Sequence, residues 1–180
     1  MIKKQTIFTI GHSTHSIEEF VALLQAHNIK EIVDVRTIPK SRHNPQFNSD
    51  ILKDSLLHVH IQYKHLKKLG GLRHTTKNSI NLGWRNTSFR GFADYMGTPE
   101  FTEGLENLEK IAEQRKTAIM CAEAVPWRCH RSLIGDALTK QKWDVFDIMT
   151  LKTASKHRLT PFLRVKKGNL VYPVLPVKQK

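Results

Sequence analysis

The chain has 180 residues, with 29 Lys and Arg against 16 Asp and Glu, a formal net charge of +13. Its length predicts one domain, 1–180, with a full hydrophobic core. No apolar run approaches the roughly 20 residues of a membrane span, and the first apolar run is too short for a signal peptide, so the expected location is cytoplasmic.

Gln5–Ile10 is a β-rich run that ends at Gly11-His12-Ser13. Ser16 and Glu19 form a capping-box pattern that opens a helix with Phe20, Leu23 and Leu24 on its apolar side. Asn28 is its expected stop. Glu31–Val35 is a second short strand, followed by a loop from Thr37 to Asn48 that Pro39 and Pro45 keep irregular. Ser49 caps a helix to Leu57, and Ile61–His65 is a third strand. Residues 66–88 lack periodicity, which in a domain of this size marks a functional loop or a disordered one. A short helix is expected over Phe89–Met96. Thr98-Pro99-Glu100 starts a longer helix, with the hydroxyl as cap and Pro in the first turn. Thr117–Cys121 is the fourth strand, a helix of about ten residues follows from Cys129 or His130, and Trp143–Ile148 is the fifth strand. Leu163-Arg-Val and Leu170-Val-Tyr flank Lys166-Lys-Gly-Asn169 and predict a small hairpin in the basic tail, 151–180.

Strands alternating with helices define an α/β class: a mainly parallel sheet of about five strands flanked by helices, with that C-terminal hairpin. Right-handed crossovers bring the strand-to-helix turns to one sheet edge, where open α/β sheets bind ligands. Three strands end there in reactive groups. The first delivers His12 and Ser13. The second delivers Asp34 and Arg36, then Lys40, Arg42 and His43. The fourth delivers Cys121 and Glu123, then Arg128, Cys129, His130 and Arg131.

Each group also has a structural reading. Cys121 closes an apolar strand and reads as core as well as nucleophile. His12 can bond a loop carbonyl, Asp34 can pair with a neighbouring cation, and Glu123 can pair with Arg128 or Arg131. Trp127 reads as packing. Taken together the groups favour a site. His12, Glu123, Cys121, Cys129 and His130 are the candidates for proton handling and nucleophilic work. Arg36, Arg42, Arg128 and Arg131 supply planar forks for phosphate, joined by Ser13, Lys40 and His43 and by N–H groups of the helix starting near Cys129.

The cysteines have seven residues between them and form no disulfide framework. Cys121 and Arg128 roughly frame a thiol-phosphate or sulfur-transfer loop, and Asp-Val-Arg36 is similar to the strand ending of rhodanese-like domains. The cysteine-to-arginine interval is one residue too long for such phosphatase loops, and Pro126 removes an N–H donor. Cys121, Cys129, His130, His12 and His43 are candidate zinc ligands, but without a Cys-x-x-Cys or a well-placed His-x-x-x-His no metal is assigned, and whether Cys121, Cys129 and His130 bind one is open. There is no Walker loop and no Gly-x-Gly-x-x-Gly, so no cofactor is named.

The charge is uneven. Residues 36–90 carry eleven basic and two acidic side chains, and residues 151–180 carry eight basic and none acidic. Such a bias attracts polyanions. Tyr63, Trp84 and Phe89 are candidates for stacking on bases. The partner expected is therefore nucleic acid or a phosphorylated small molecule, with no membrane. Whether the chain is an enzyme, and its oligomeric state, are open.

Thr9-Ile-Gly-His-Ser13, Val33-Asp-Val-Arg36, Pro39-Lys-Ser-Arg42 with Asn44–Asn48, Leu69-Gly-Gly71 and Met120–Arg131 together resemble the family of domain of unknown function 488, over roughly residues 6–175. The resemblance implies a single α/β domain with its recurring polar residues in these turns. It implies no agreed activity, although some relatives carry a DNA-repair label. Three readings follow: an anion-site enzyme or ligand-binding domain for a phosphate-bearing substrate; a non-catalytic nucleic-acid-binding or repair accessory protein; and a thiol- or metal-dependent redox or sulfur-transfer enzyme.

Overall fold

A computed structural model describes residues 5–176. Met1–Lys4 and the last two lysines of the basic tail lie outside the described residues. Six strands form one sheet: β1 (Thr6–Gly11), β2 (Glu31–Asp34), β3 (Gln62–His65), β4 (Thr117–Cys121), β5 (Asp144–Ile148) and β6 (Ala154–Lys156). Their order is β3-β2-β4-β1-β5-β6. The first five are parallel, and β6 runs antiparallel on β5. β7 (Arg164–Lys166) and β8 (Asn169–Val171) make the separate hairpin.

The α-helices among the described residues are α1 (Ile17–Ala26), α2 (Ser49–His58), α3 (Thr87–Tyr95), α4 (Pro99–Gln114) and α5 (Arg131–Lys140). They cover both faces of the sheet. Period-two alternation along the strands divides the core accordingly. Phe8, Ile10, Ile32, Ala118 and Met120 pack with Phe20, Leu24, Leu52 and Leu56 of α1 and α2. Ile7, Val33, Ile119 and Val145 pack with Phe92, Leu105, Leu108, Ile134 and Leu138 of α3, α4 and α5. No described helix is long and apolar enough to cross a membrane.

Local chemistry sets the helix starts. Ser16 and Glu19 make the full capping box of α1, and Asn28 follows in the left-handed region at φ 55°. Thr98 accepts from the Phe101 N–H at the head of α4, with Pro99 next. Some boundaries differ from expectation. Asn48, not Ser49, occupies the cap position of α2, and Ser49 is already helical. α3 starts at Thr87, because Asn86 accepts from the N–H groups of Ser88 and Phe89.

The strand β6 has no counterpart in the expected five. It is three residues long and lacks an apolar pattern, so only its pairing with β5 marks it. Between the 3-10 turn Lys67–Leu69 and the start of α3, residues 70–86 are irregular, yet they are anchored. Asp94 accepts from Thr75, Thr76, Ser79 and Asn81, and the Arg73 guanidinium lies 3.6 Å from the Tyr95 ring centre.

β4 enters the sheet between two strands already laid down. Its registers set Cys121 beside Gly11 and Met120 beside Asp34. The carboxyl ends of β1, β2 and β4 therefore lie side by side.

Candidate functional site

Above those three strand ends lies a cavity of about 620 Å³. His12 and Ser13 line it from β1, and Arg36 and Lys40 from the loop after β2. Cys121, Glu123, Arg128, Cys129 and His130 line it from the segment after β4. Arg42 and His43 are exposed on the same loop and do not line it. Arg131 lies beneath the wall, 1% exposed.

Gly11 permits the close approach of the post-β4 loop, since a Cβ there would sit 1.9 Å from the Glu123 carbonyl oxygen. Arg131 fastens the same loop from below. Its guanidinium donates to the backbone carbonyls of Glu123 and Ala124. The expected pairing of this arginine with the Glu123 carboxylate is replaced by that backbone strut, which leaves the Glu123 side chain exposed.

A buried polar chain holds Arg36. Its Nε and Nη2 donate to Asp34, the latter at 2.6 Å, and Nη2 also donates to the Phe47 carbonyl. Tyr63 donates its hydroxyl to Asp34 Oδ2 at 2.7 Å. Burial and the Asp34 charge push the Tyr63 pKa up. Burial works against the Arg36 charge, but its bonds to Asp34 outweigh this and raise its pKa. The remaining nitrogen, Nη1, donates to His12 Nε2 at 3.3 Å.

His12 is fixed from both ends. The Ser13 carbonyl can only accept, so Nδ1 carries the proton at 2.9 Å and Nε2 is a lone pair. The ring stacks on Phe47, with centres 4.3 Å apart. Burial, then the Arg36 charge, lowers its pKa to about 4, despite the opposing Ser13 bond. Ser13 holds φ 45°, uncommon for a residue with a side chain.

The thiols and His130 form a second group. Nε2 of His130 lies 3.0 Å from the carbonyl oxygens of both Val35 and Leu69, so the proton sits there. Nδ1 then faces both sulfurs, 3.8 Å from each. Hydrogen bonding from Cys129 lowers the Cys121 pKa against the effect of burial, whereas burial and the neighbouring Cys121 raise that of Cys129. Gly71 makes room for the imidazole: a Cβ would fall 2.4 Å from Nδ1. Of the five candidate ligands, these three come together here. The three ligand atoms lie within 4.8 Å of one another.

The helix start does not serve as expected. α5 begins at Arg131, one or two residues late. The Arg131 N–H donates to Cys129 Sγ at 3.5 Å, and those of Ser132 and Leu133 are taken by the Cys129 and His130 carbonyls. Side chains, not these N–H groups, face the cavity. Two expected stacking residues are committed elsewhere. Tyr63 serves Asp34, and Trp84 packs on Phe89, Phe162 and Tyr172. Trp127, expected to pack, is 66% exposed. Thr37, Asn44 and Leu72 also line the cavity. The Asn44–Asn48 and Leu69-Gly-Gly71 motifs pointed to that neighbourhood.

A family model described as Domain of unknown function DUF488 matches residues 16–138, well over half of the chain. The chain belongs to that family. The match takes in the site segments after β2 and β4 and begins beyond Gly11–Ser13. No curated protein and no solved structure matches this DUF488 chain at a significant level.

Proposed function

We propose that the cavity over β1, β2 and β4 is an anion-binding enzyme or ligand site for a phosphate-bearing small molecule of the nucleotide class. One observation carries this reading. Arg36, Lys40 and Arg128, with the Ser13 hydroxyl, line a single cavity of about 620 Å³, within the roughly 300–1,000 Å³ usual for ligand pockets. Phosphate suits planar guanidinium forks and a lysine point charge. The rim is apolar: Ile38 and Leu72 line the cavity and are 61% and 67% exposed. That pairing suits a ligand with a charged end and an organic body.

The roles divide by accessibility. Lys40 and Arg128 are exposed and capture the anion. Arg36 is held by Asp34 and His12 and orients it. His12 is a positioning residue, because both of its ring nitrogens are engaged. Glu123, exposed on the wall, handles protons. Arg42 and His43 serve only the approach.

The test is calorimetric titration with inorganic phosphate and with adenosine monophosphate. The expected result is saturable binding, tighter for the nucleotide, weakened about tenfold or more by the Lys40→Ala/Arg128→Ala pair. Absence of saturable binding to either ligand overturns the reading. A second reading, a nucleic-acid strand as the ligand, draws support from the basic bias of residues 36–90, which supply one cavity wall. It requires oligonucleotide affinity that falls steeply with added salt; flat, weak binding removes it.

A further inference from the structure

We propose that Cys121, Cys129 and His130 form a three-ligand site for a zinc-class divalent cation, with its fourth position open to the cavity. The spacing fits the ion. A tetrahedral centre with metal–sulfur bonds of about 2.3 Å and metal–nitrogen bonds of about 2.0–2.1 Å has nitrogen-to-sulfur edges near 3.6 Å. The two such edges here are both 3.8 Å. The third edge, between the sulfurs, lies within 4.8 Å and must shorten toward the roughly 3.8 Å of such a centre, so closing the site takes a sulfur movement of up to about 1 Å.

The imidazole is set for ligation. Val35 and Leu69 carbonyls hold the Nε2 proton, which turns the Nδ1 lone pair on the sulfurs. This outer support fixes tautomer and ring plane as it does around histidine ligands generally. Gly71 leaves the space beside Nδ1 clear. On the far side, Arg131 is 1% exposed, its Nε finds no partner, and it has no ion pair among the described residues. Its backbone N–H already points at Cys129 Sγ, a donor that supports a thiolate ligand. A buried guanidinium without a carboxylate is costly unless negative charge lies nearby.

The ligand set selects the metal. Two sulfurs and one imidazole favour zinc and related borderline-to-soft ions over magnesium or calcium. Three protein ligands with one open position is the catalytic pattern, whereas structural zinc sites close all four. On uptake both thiols lose their protons to solvent, and the cation gains two thiolates and one neutral imidazole. The site does not depend on the anion reading, since none of its ligands belongs to the Arg36, Lys40 and Arg128 grip.

The experiment is anaerobic Co²⁺ titration of reduced, untagged full-length chain, followed by Zn²⁺ displacement. The expected result is one Co²⁺ per chain, a thiolate-to-cobalt charge-transfer band, and tetrahedral visible absorption that Zn²⁺ abolishes. Folded Cys121→Ser and Cys129→Ser should each bind about 100-fold more weakly or worse. Bound Zn²⁺ should shield both thiols from alkylation until a chelator is added. No uptake, uptake without the charge-transfer band, or equal uptake in folded serine variants overturns the proposal. If the variants do not fold, the wild-type band and the alkylation result decide. Lys40→Ala/Arg128→Ala should leave the cobalt spectrum unchanged while weakening phosphate, so the two readings fail separately.

Discussion

Three histidine clusters, two buried and one half-buried, flank the centre of this sheet, and they use the same residue type in opposite ways. His157 meets carboxylates: its ring nitrogens face Asp136 Oδ1 at 2.9 Å and Asp147 Oδ2 at 3.5 Å. Tyr172 donates to the other Asp136 oxygen, and Thr9 donates to Asp147. His12 meets a carbonyl and an arginine, and His130 meets two carbonyls and two thiols. Burial disfavours charge on His157, but Asp136 and Asp147 outweigh it and raise its pKa to about 9. Burial, with Arg36, takes His12 down to about 4. A histidine with carboxylates on both sides is a charged clamp between elements. A ring whose Nε2 is held by two carbonyls and whose Nδ1 faces two thiols at a cavity wall is a candidate ligand or base.

The strongest break of this contrast is Asp136→Ala. The carboxylate also accepts from the Thr160 N–H, so its loss strands an imidazolium, a phenol and an amide together. Removing one partner of a buried charged pair costs about 3–5 kcal/mol. Urea unfolding should show that loss. A drop below about 1 kcal/mol would mean that the clamp is not charged.

The pH dependence sharpens the contrast because the two shifts have opposite sign. His157 is raised, so its contribution is complete below the unfolded pKa near 6.5 and is lost as pH rises through about 9. His12 is depressed, so its contribution is present above about 6.5 and is lost as pH falls toward 4. Each shift spans about 3 kcal/mol at roughly 1.4 kcal/mol per pK unit. The stability difference between the wild type and His157→Gln should shrink between pH 6.5 and 9. That between the wild type and His12→Gln should shrink between pH 6.5 and 4. Equal slopes in variant and parent would erase the distinction.

A smaller effect is expected from Gly71→Ala. The added methyl meets the His130 ring, and overpacking of this kind costs about 1–3 kcal/mol. The histidine Nδ1 resonance, followed by NMR, should shift, whereas the His157 resonances should not.

The same contrast explains what could be read from residues alone. Apolar runs, capping residues and Thr-Pro-Glu at a helix start are local signals, and they located β1, β2, β4, α1 and α4. The convergence of His12, Arg36 and Cys121 followed from parallel topology. β6 was hidden because its three residues carry no apolar pattern. The buried role of Arg131 was hidden because a guanidinium in sequence looks the same whether it grips a phosphate or two backbone carbonyls. Cys121, Cys129 and His130 were legible as candidate ligands, but their spacing did not show that the three would meet. Ligand motifs are recognised as close pairs along a helix or turn, and here the 122–128 loop must fold back before the sulfurs meet.

The smallest expected effects separate support from contact within the cavity itself. Tyr63→Phe removes a hydroxyl that reaches no cavity residue except through Asp34 and Arg36. A hydrogen bond to a charged group is worth about 1.5–3 kcal/mol, and the half-buried position of Tyr63 argues for the lower end. Arg128→Ala removes an exposed side chain, for which stability should move by no more than about 0.5 kcal/mol. Their effects on phosphate binding should run the other way: a several-fold loss for Arg128→Ala and less for Tyr63→Phe. If Tyr63→Phe weakens phosphate more than Arg128→Ala does, the anion is gripped by the buried Asp34–Arg36 unit alone, and the exposed cations serve only to attract it.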